Sequence, residues 1–252
     1  MDRTTKDIAA PVPPTIMKYY RDIHLDIDIL FVNRVAFLLV TSRDVGFIHC
    51  KPLLTSHGKR IKNGIQQIVQ DYHVRGFKVV TMFGDKEFDP VIEWVRHQLH
   101  IDLVTSAAQG HVPRAENAIR FVIERVRAIQ CETPFDRYPK RFTIEMVKRV
   151  VVLINSFRRN SGVHPVMSPR QILFCKKFKL SLCKIGKLVM AYNVESTSKT
   201  SEPRAFYALY IGPNDSGTGH QVCKLSTKKV LTTPKCKPVP MPDDVIKVVH
   251  NM

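Results

Sequence analysis

Three acidic residues stand where metal chemistry could use them. Asp28 interrupts an apolar run, Leu25-Asp-Ile-Asp-Ile-Leu-Phe31. A carboxylate inside a strand is costly unless it is paired or bound to a cation. Asp26 shares its side of the strand, so two acids on a solvated face is the competing reading. Asp85 follows Val79-Val-Thr-Met-Phe-Gly84 directly, at the C-terminal edge of a strand, where α/β proteins place ligands. The plain alternative is a loop acid capping a turn. Glu116 sits in the first turn of a helix with Arg120 one turn on, a placement that the helix dipole and i,i+4 pairing favour in any helix. Were the three to converge, they would repel and raise one another's pKa values. Divalent cations relieve that repulsion, and a site of oxygen ligands alone suits Mg²⁺ or Mn²⁺. Two such ions about 4 Å apart can activate an attacking hydroxyl and steady the leaving oxygen of a phosphodiester.

Other constellations carry less. His97 and His100 are spaced for a metal on a short polar helix, where surface histidines are the ordinary finding. His111, just before Glu116, either reaches substrate or caps its loop. The stretch Gly212 to Gly219 lacks the Gly-Lys-Ser/Thr ending of a phosphate loop. Cys131 and Ser42 have no evident base partner, which leaves a nucleophilic triad unsupported. The six cysteines form no Cys-x-x-Cys pair and read as scattered thiols.

The elements that must hold these residues can be read from periodicity. Leu25, Ile27 and Ile29 alternate with acids, as in a strand. Phe31 to Arg34 reads as a turn, Val35 to Val40 as a second strand and Phe47 to Cys50 as a third. Ile61, Ile65, Ile68, Val69 and Tyr72 form the stripe of an amphipathic helix. Phe77 to Phe83 returns to a strand, followed by a short helix over Pro90 to Leu99 and a short strand over Ile101 to Thr105. Ala115, Ala118, Ile119, Val122 and Val126 line a helix that starts just after Pro113, and Thr143 to Phe157 is one more helix. A meander continued by helical crossovers predicts an α/β domain with a mixed five-stranded sheet and helices on its faces. The expected organisation is a leader or linker over residues 1–20, a core over 21–160, a basic connector over 161–184 and a small barrel-like β-rich domain over 185–252. The last has strands at Leu188 to Tyr192, Phe206 to Ile211 and His220 to Leu225.

Charge narrows the class of partner. The chain carries 39 Lys+Arg against 22 Asp+Glu, a formal +17, and a polyanion is the ordinary reason for such an excess. No acid occurs between Met146 and Asn193. The candidate nucleic-acid contacts are His111, Arg120, Arg127, Lys148, Arg149, Arg158, Arg159, Lys176, Lys177, Lys179, Lys184 and Lys187. No apolar run approaches the ~20 residues of a membrane span, and Met1 to Ala10 does not read as a secretory signal.

These motifs resemble the integrase region of retroelement polyproteins, in particular the Ty1/copia-like class. Asp28-Ile-Leu-Phe-Val-Asn33 with Val35 to Arg43 is similar to the first acidic strand and its hairpin partner. Met82-Phe-Gly-Asp-Lys-Glu-Phe88 resembles the second acidic motif. His111-Val-Pro-Arg-Ala-Glu-Asn-Ala-Ile-Arg120 resembles the third. Leu153-Ile-Asn155 and Ser168-Pro-Arg170 resemble the asparagine helix and the loop after it. Leu209 to Pro213, Leu225 to Lys229 and Pro240 to Asp243 resemble the downstream β-region. The resemblance spans roughly residues 22–248.

It implies an RNase H-like fold with Asp28, Asp85 and Glu116 as catalytic residues and metal ligands. It also implies Mg²⁺ or Mn²⁺, trimming of element DNA ends and joining of 3′-hydroxyls to target DNA. The expected partners are double-stranded DNA and further copies of the chain, with no membrane, and the expected compartment of an active copy is the nucleus. The sequence departs from the family at several points. No His/His/Cys/Cys zinc module precedes Asp22, and Asn117, Ile123 and Gly110 replace an arginine, a lysine and an acid common in relatives. The Asp85–Glu116 interval is also a little short. A piece of a polyprotein or a decayed copy fits these departures. A DNA-binding remnant without catalysis and an RNase H-type nuclease remain the alternatives; the basic β-rich tail favours the integrase over the nuclease.

Overall fold

A computed structural model describes residues 11–53, 57–105, 113–159, 162–192, 204–215 and 217–251. It divides into two compact units interleaved along the chain: Met1–Leu30, Ala36–Arg120 and Val151–Phe178 in the first, and Phe31–Val35, Phe121–Val150 and Lys179–Met252 in the second. Parts of two long helices are shared out between the units.

The first unit is built on a five-stranded mixed sheet. Its strands are β1 (Asp22–Val32), β2 (Val35–Ser42), β3 (Ile48–Pro52), β4 (Lys78–Gly84) and β5 (Asp102–Thr105). The order is β3-β2-β1-β4-β5. β2 and β3 pair antiparallel, whereas β1 with β4 and β4 with β5 pair parallel. The turn joining β1 to β2 places Asn33 and Arg34 at φ 47° and 63°, the left-handed conformations a two-residue hairpin needs. This is the mixed five-stranded sheet the sequence predicts.

Helix α2 (His57–His73) supplies the crossover from β3 to β4. Its stripe of Ile61, Ile65, Ile68, Val69 and Tyr72 is buried with Leu25, Ile27 and Leu38 in one core. Each such side chain contributes about 1.5–3 kcal/mol on full burial. Phe37 and Leu39, on the opposite side of β2, are buried as well, so the sheet is covered on both faces. Between β4 and β5 the chain makes a 3-10 turn (Lys86–Val91), the short helix α3 (Ile92–Trp94) and a π-helical turn (Val95–Leu99).

Within the expected leader or linker, Pro14–Tyr20 form helix α1, whose Ile16 is buried in the same core; residues 1–10 lie outside the described residues. The expected connector contains α6 (Pro169–Phe174), opened by a capping box in which Ser168 accepts from the Gln171 N–H and Gln171 returns the bond. Helices α4 (Pro113–Cys131) and α5 (Lys140–Ser156) each contribute to both units.

The second unit carries an antiparallel sheet of β6 (Leu188–Tyr192), β7 (Ala205–Pro213), β8 (His220–Lys224), β9 (Val230–Thr233) and β10 (Cys236–Pro238). Its order is β10-β6-β7-β8-β9. The fifth strand returns to the first, the connectivity of a small barrel-like sheet. Val189, Ala191, Ala208, Tyr210, Val222 and Cys236 form its core. Where Pro238 to Pro242 reads as an extended exit, a further helix follows, α7 (Asp243–His250). Among the described residues no helix is long and apolar enough to cross a membrane.

Candidate functional site

Asp28 and Asp85 belong to neighbouring strands of the first unit. Parallel pairing sets Leu25 opposite Met82 and Asp26 opposite Phe83. Two residues further along that register, Asp28 comes level with Asp85, just past the end of β4. Gly84 is what permits the close approach. A Cβ there would stand 2.9 Å from Ile27 Cγ1 and 2.9 Å from Phe88 Cδ2, inside van der Waals contact. Asp85 caps the 3-10 turn, its carboxylate accepting from the Glu87 N–H at 3.3 Å and its carbonyl from the Phe88 N–H at 3.1 Å.

Glu116 lies in the first turn of α4, on the portion of that helix that belongs to the first unit. That turn is tied down by Arg114, whose Nη1 donates to the Arg43 carbonyl at 3.0 Å. Asp28 feels all of these groups. Burial pushes its carboxyl above the ordinary carboxylate range, a bond from the Ile29 N–H at 2.6 Å opposes the shift, and Asp85, Glu87 and Glu116 each add to it by repulsion.

Asp85 and Glu116 thus each act on Asp28 by repulsion. Glu87 joins them, a residue the sequence reading passed over although it lies two positions from Asp85. The donor set, all hard oxygen, fits a divalent cation such as Mg²⁺ or Mn²⁺. Among the described residues, however, no three His, Cys, Asp or Glu side chains stand close enough to hold one ion together.

The idea that Asp26 shares a solvated face with Asp28 is overturned. Asp26 is fully buried and Asp28 half-buried. The Asp26 carboxylate accepts from Arg43 Nη2 at 2.6 Å and from Nε at 2.9 Å. The Arg43 guanidinium in turn lies 3.6 Å from the centre of the Phe83 ring. Such a forked pair offsets part of the cost of burying a carboxylate.

The predicted nucleic-acid contacts divide. In the first unit Arg120, Arg158, Lys176 and Lys177 are exposed. Arg120 donates to Asn117 and Arg158 to the Pro165 carbonyl. Arg159 is half-buried beside Gly46, and burial lowers its pKa. In the second unit Arg127, Lys148, Lys179, Lys184 and Lys187 are exposed. Lys148 is paired with Glu145 and Lys184 with Glu132, each at 2.8 Å. Lys179 donates to the Asn214 and Gly217 carbonyls.

Arg149 is the exception and corrects the sequence reading. It is buried, lies 3.6 Å from Asp215 and donates to Ser181. Gly212 packs so tightly on it that a Cβ there would meet its Nε at 2.7 Å. It is a structural arginine, withheld from any phosphate. His111 lies outside the described residues. His97 pairs with Glu93 at 3.0 Å on an exposed helical surface.

No protein-family model matches the chain, and no curated protein matches it. Solved structures do. The catalytic core domain of BIV integrase is similar at 17% identity and a TM-score of 0.44, over 60% of this chain and 93% of that one. The catalytic core domain of HTLV-2 integrase, a trimeric form in complex with magnesium, is similar at 12% identity and a TM-score of 0.43, over 61% of this chain and 95% of that one.

Proposed function

We propose that this chain is the core of an integrase-type polynucleotidyl transferase from a Ty1/copia-like retroelement, acting on DNA ends. The observation that supports it most is the parallel register of β1 and β4, which brings Asp28 level with Asp85, together with the repulsion that Asp28 receives from Asp85, Glu87 and Glu116. Asp28, Asp85 and Glu116 would be the ligands of Mg²⁺ or Mn²⁺, with Glu87 beside them. A bound divalent cation supplies the positive charge that polarises a phosphodiester oxygen and favours a hydroxyl nucleophile. The protein's own part is to present carboxylate oxygens from relatively rigid elements and to hold the nucleic-acid backbone.

Arg120, Arg158, Lys176 and Lys177 of the first unit would serve the second purpose, as would Arg127, Lys148, Lys184 and Lys187 of the second. The resulting attraction is independent of sequence. Assembly into a homo-oligomer on double-stranded DNA in the nucleus belongs to the same reading.

Cleavage of a short duplex carrying the element's ends, with Mn²⁺, tests the proposal. Asp28→Asn, Asp85→Asn and Glu116→Gln should each abolish cleavage while leaving the far-UV circular dichroism unchanged. Full activity in any one of them removes that residue from the site and the assignment with it. A second reading, a DNA-binding remnant that no longer cuts, draws on the lack of a closed ligand trio among the described residues. It expects salt-sensitive DNA binding with no Mn²⁺-dependent cleavage by the unmutated chain. Cutting of an RNA–DNA hybrid without any joining of ends would point to an RNase H-type nuclease.

A further inference from the structure

Arg43 touches every element that carries one of the three carboxylates, each time two residues before the carboxylate itself. On β1 its guanidinium forks onto Asp26, two residues before Asp28, at 2.6 and 2.9 Å. On β4 the same guanidinium stacks on Phe83, two residues before Asp85, at 3.6 Å from the ring centre. On α4 its carbonyl accepts from Arg114, two residues before Glu116, at 3.0 Å. Its own N–H is held by the His24 carbonyl of β1 at 2.8 Å. In an extended strand, side chains two residues apart leave the same face. Asp26 and Asp28 therefore project together, as Phe83 does with the position of Asp85 once the strand ends.

We propose that Arg43 is the positioning residue of the carboxylate site: it sets the spacing of β1, the β4 terminus and the first turn of α4, and so sets the affinity for a divalent cation. The inference rests on the metal-site reading above. Two features make Arg43 suited to this. Its flat, forked group can bond one partner in its plane while stacking another on its face, which an ammonium cannot do. And its anchor, Asp26, is fully buried, so the carboxylate end of the fork is closed to competing water. Groups behind metal ligands commonly govern metal affinity by tenfold or more.

The test uses the whole chain and Mn²⁺ itself. Binding is measured by titration calorimetry, alongside the melting temperature without metal and amide hydrogen exchange. Arg43→Lys keeps a positive charge opposite Asp26 but loses the fork and the stack. Arg114→Gln removes only the strap to α4 and leaves the buried pair untouched.

Arg43→Lys should raise the Mn²⁺ dissociation constant about tenfold or more. It should also speed exchange at the Phe88 amide, bonded to the Asp85 carbonyl, and in the first turn of α4 together. Arg114→Gln should weaken Mn²⁺ several-fold with little change in melting temperature. If both variants stay folded and bind Mn²⁺ as the unmutated chain does, Arg43 is only a stabilising partner for Asp26 and the proposal fails. If the unmutated chain itself binds no Mn²⁺, or binds it equally well after Asp28→Asn, the metal-site reading falls and this inference falls with it.

Discussion

Asn155→Ala should cost the protein about 2–5 kcal/mol, far more than an ordinary substitution of a small polar residue. That magnitude follows from one strand edge. Ser42 N–H donates to the Phe47 carbonyl at 2.9 Å, and Thr41 pairs with Ile48. In an antiparallel ladder the bonded and non-bonded pairs alternate, so the N–H and C=O of Ile48 point away from β2. β3 is the edge of its sheet, and no further strand receives them. The carboxamide of Asn155 does so instead, accepting from Ile48 N at 2.9 Å and donating to Ile48 O at 2.7 Å.

Asn155 and Ile48 are each 1% exposed, so water does not stand ready as a substitute. Removing the carboxamide orphans two buried backbone groups at about 1–3 kcal/mol each. Partial entry of water into the space left behind lowers the sum somewhat. Urea unfolding followed by circular dichroism reads the loss as a lower midpoint at constant slope. Asn155→Asp, which keeps an acceptor for the Ile48 N–H but turns a second oxygen on its carbonyl, should be at least as damaging at neutral pH. A midpoint for Asn155→Ala equivalent to less than about 0.5 kcal/mol of change would refute the edge-strand account. The consequence reaches the site, because the loop from Ser42 to Phe47 carries Arg43.

Two further outcomes are expected. His49 is buried and its pKa is lowered to about 3, chiefly by burial with Lys51 adding to it, although the Asp71 carboxylate lies 3.7 Å from Nδ1. The unfolded chain therefore takes up a proton near pH 6.5 that the folded chain refuses, and stability present above that pH is lost as pH falls toward 3. The loss from this residue is about 2 kcal/mol between pH 6.5 and 5. His49→Phe should flatten that part of the stability curve, and an unchanged slope in urea titrations at several pH values would contradict it. Lys176→Gln with Lys177→Gln should weaken DNA binding and reduce the slope of log K against log salt by about 1–2. An unaltered slope in fluorescence-anisotropy titrations would remove both lysines from the interface.

Elements with a clear period are legible in the chain itself. The stripe from Ile61 to Tyr72 lies within α2, the run from Phe77 to Phe83 covers all of β4 but its last residue, and Pro113 opens α4. Asp85 at a strand terminus and Glu116 in a first helical turn follow from those placements. Other signals are present but easily outweighed. Ser168, Pro169 and Gln171 spell a capping box that the surrounding prolines disguise as a linker. Pro13 and Pro14 likewise conceal α1, because a proline at a helix start reads the same as one in a loop until the buried partner of Ile16 is known. Short strands such as Val230–Thr233 have too few residues to establish a period.

Local order, the run of strands and helices, the basic excess and the identity of three candidate carboxylates were all determined by the chain read alone, since each depends on residues within a turn or two. Tertiary structure decided which charges are usable. Asp26 and Asp28 are indistinguishable by type and period, yet one is neutralised by Arg43 and the other is left facing Asp85, Glu87 and Glu116. Arg149 sits in the same acid-free stretch as Lys148 but is buried, while Lys148 is exposed. A charge is worth what its surroundings leave of its hydration, and those surroundings arrive from distant parts of the chain only when the chain folds.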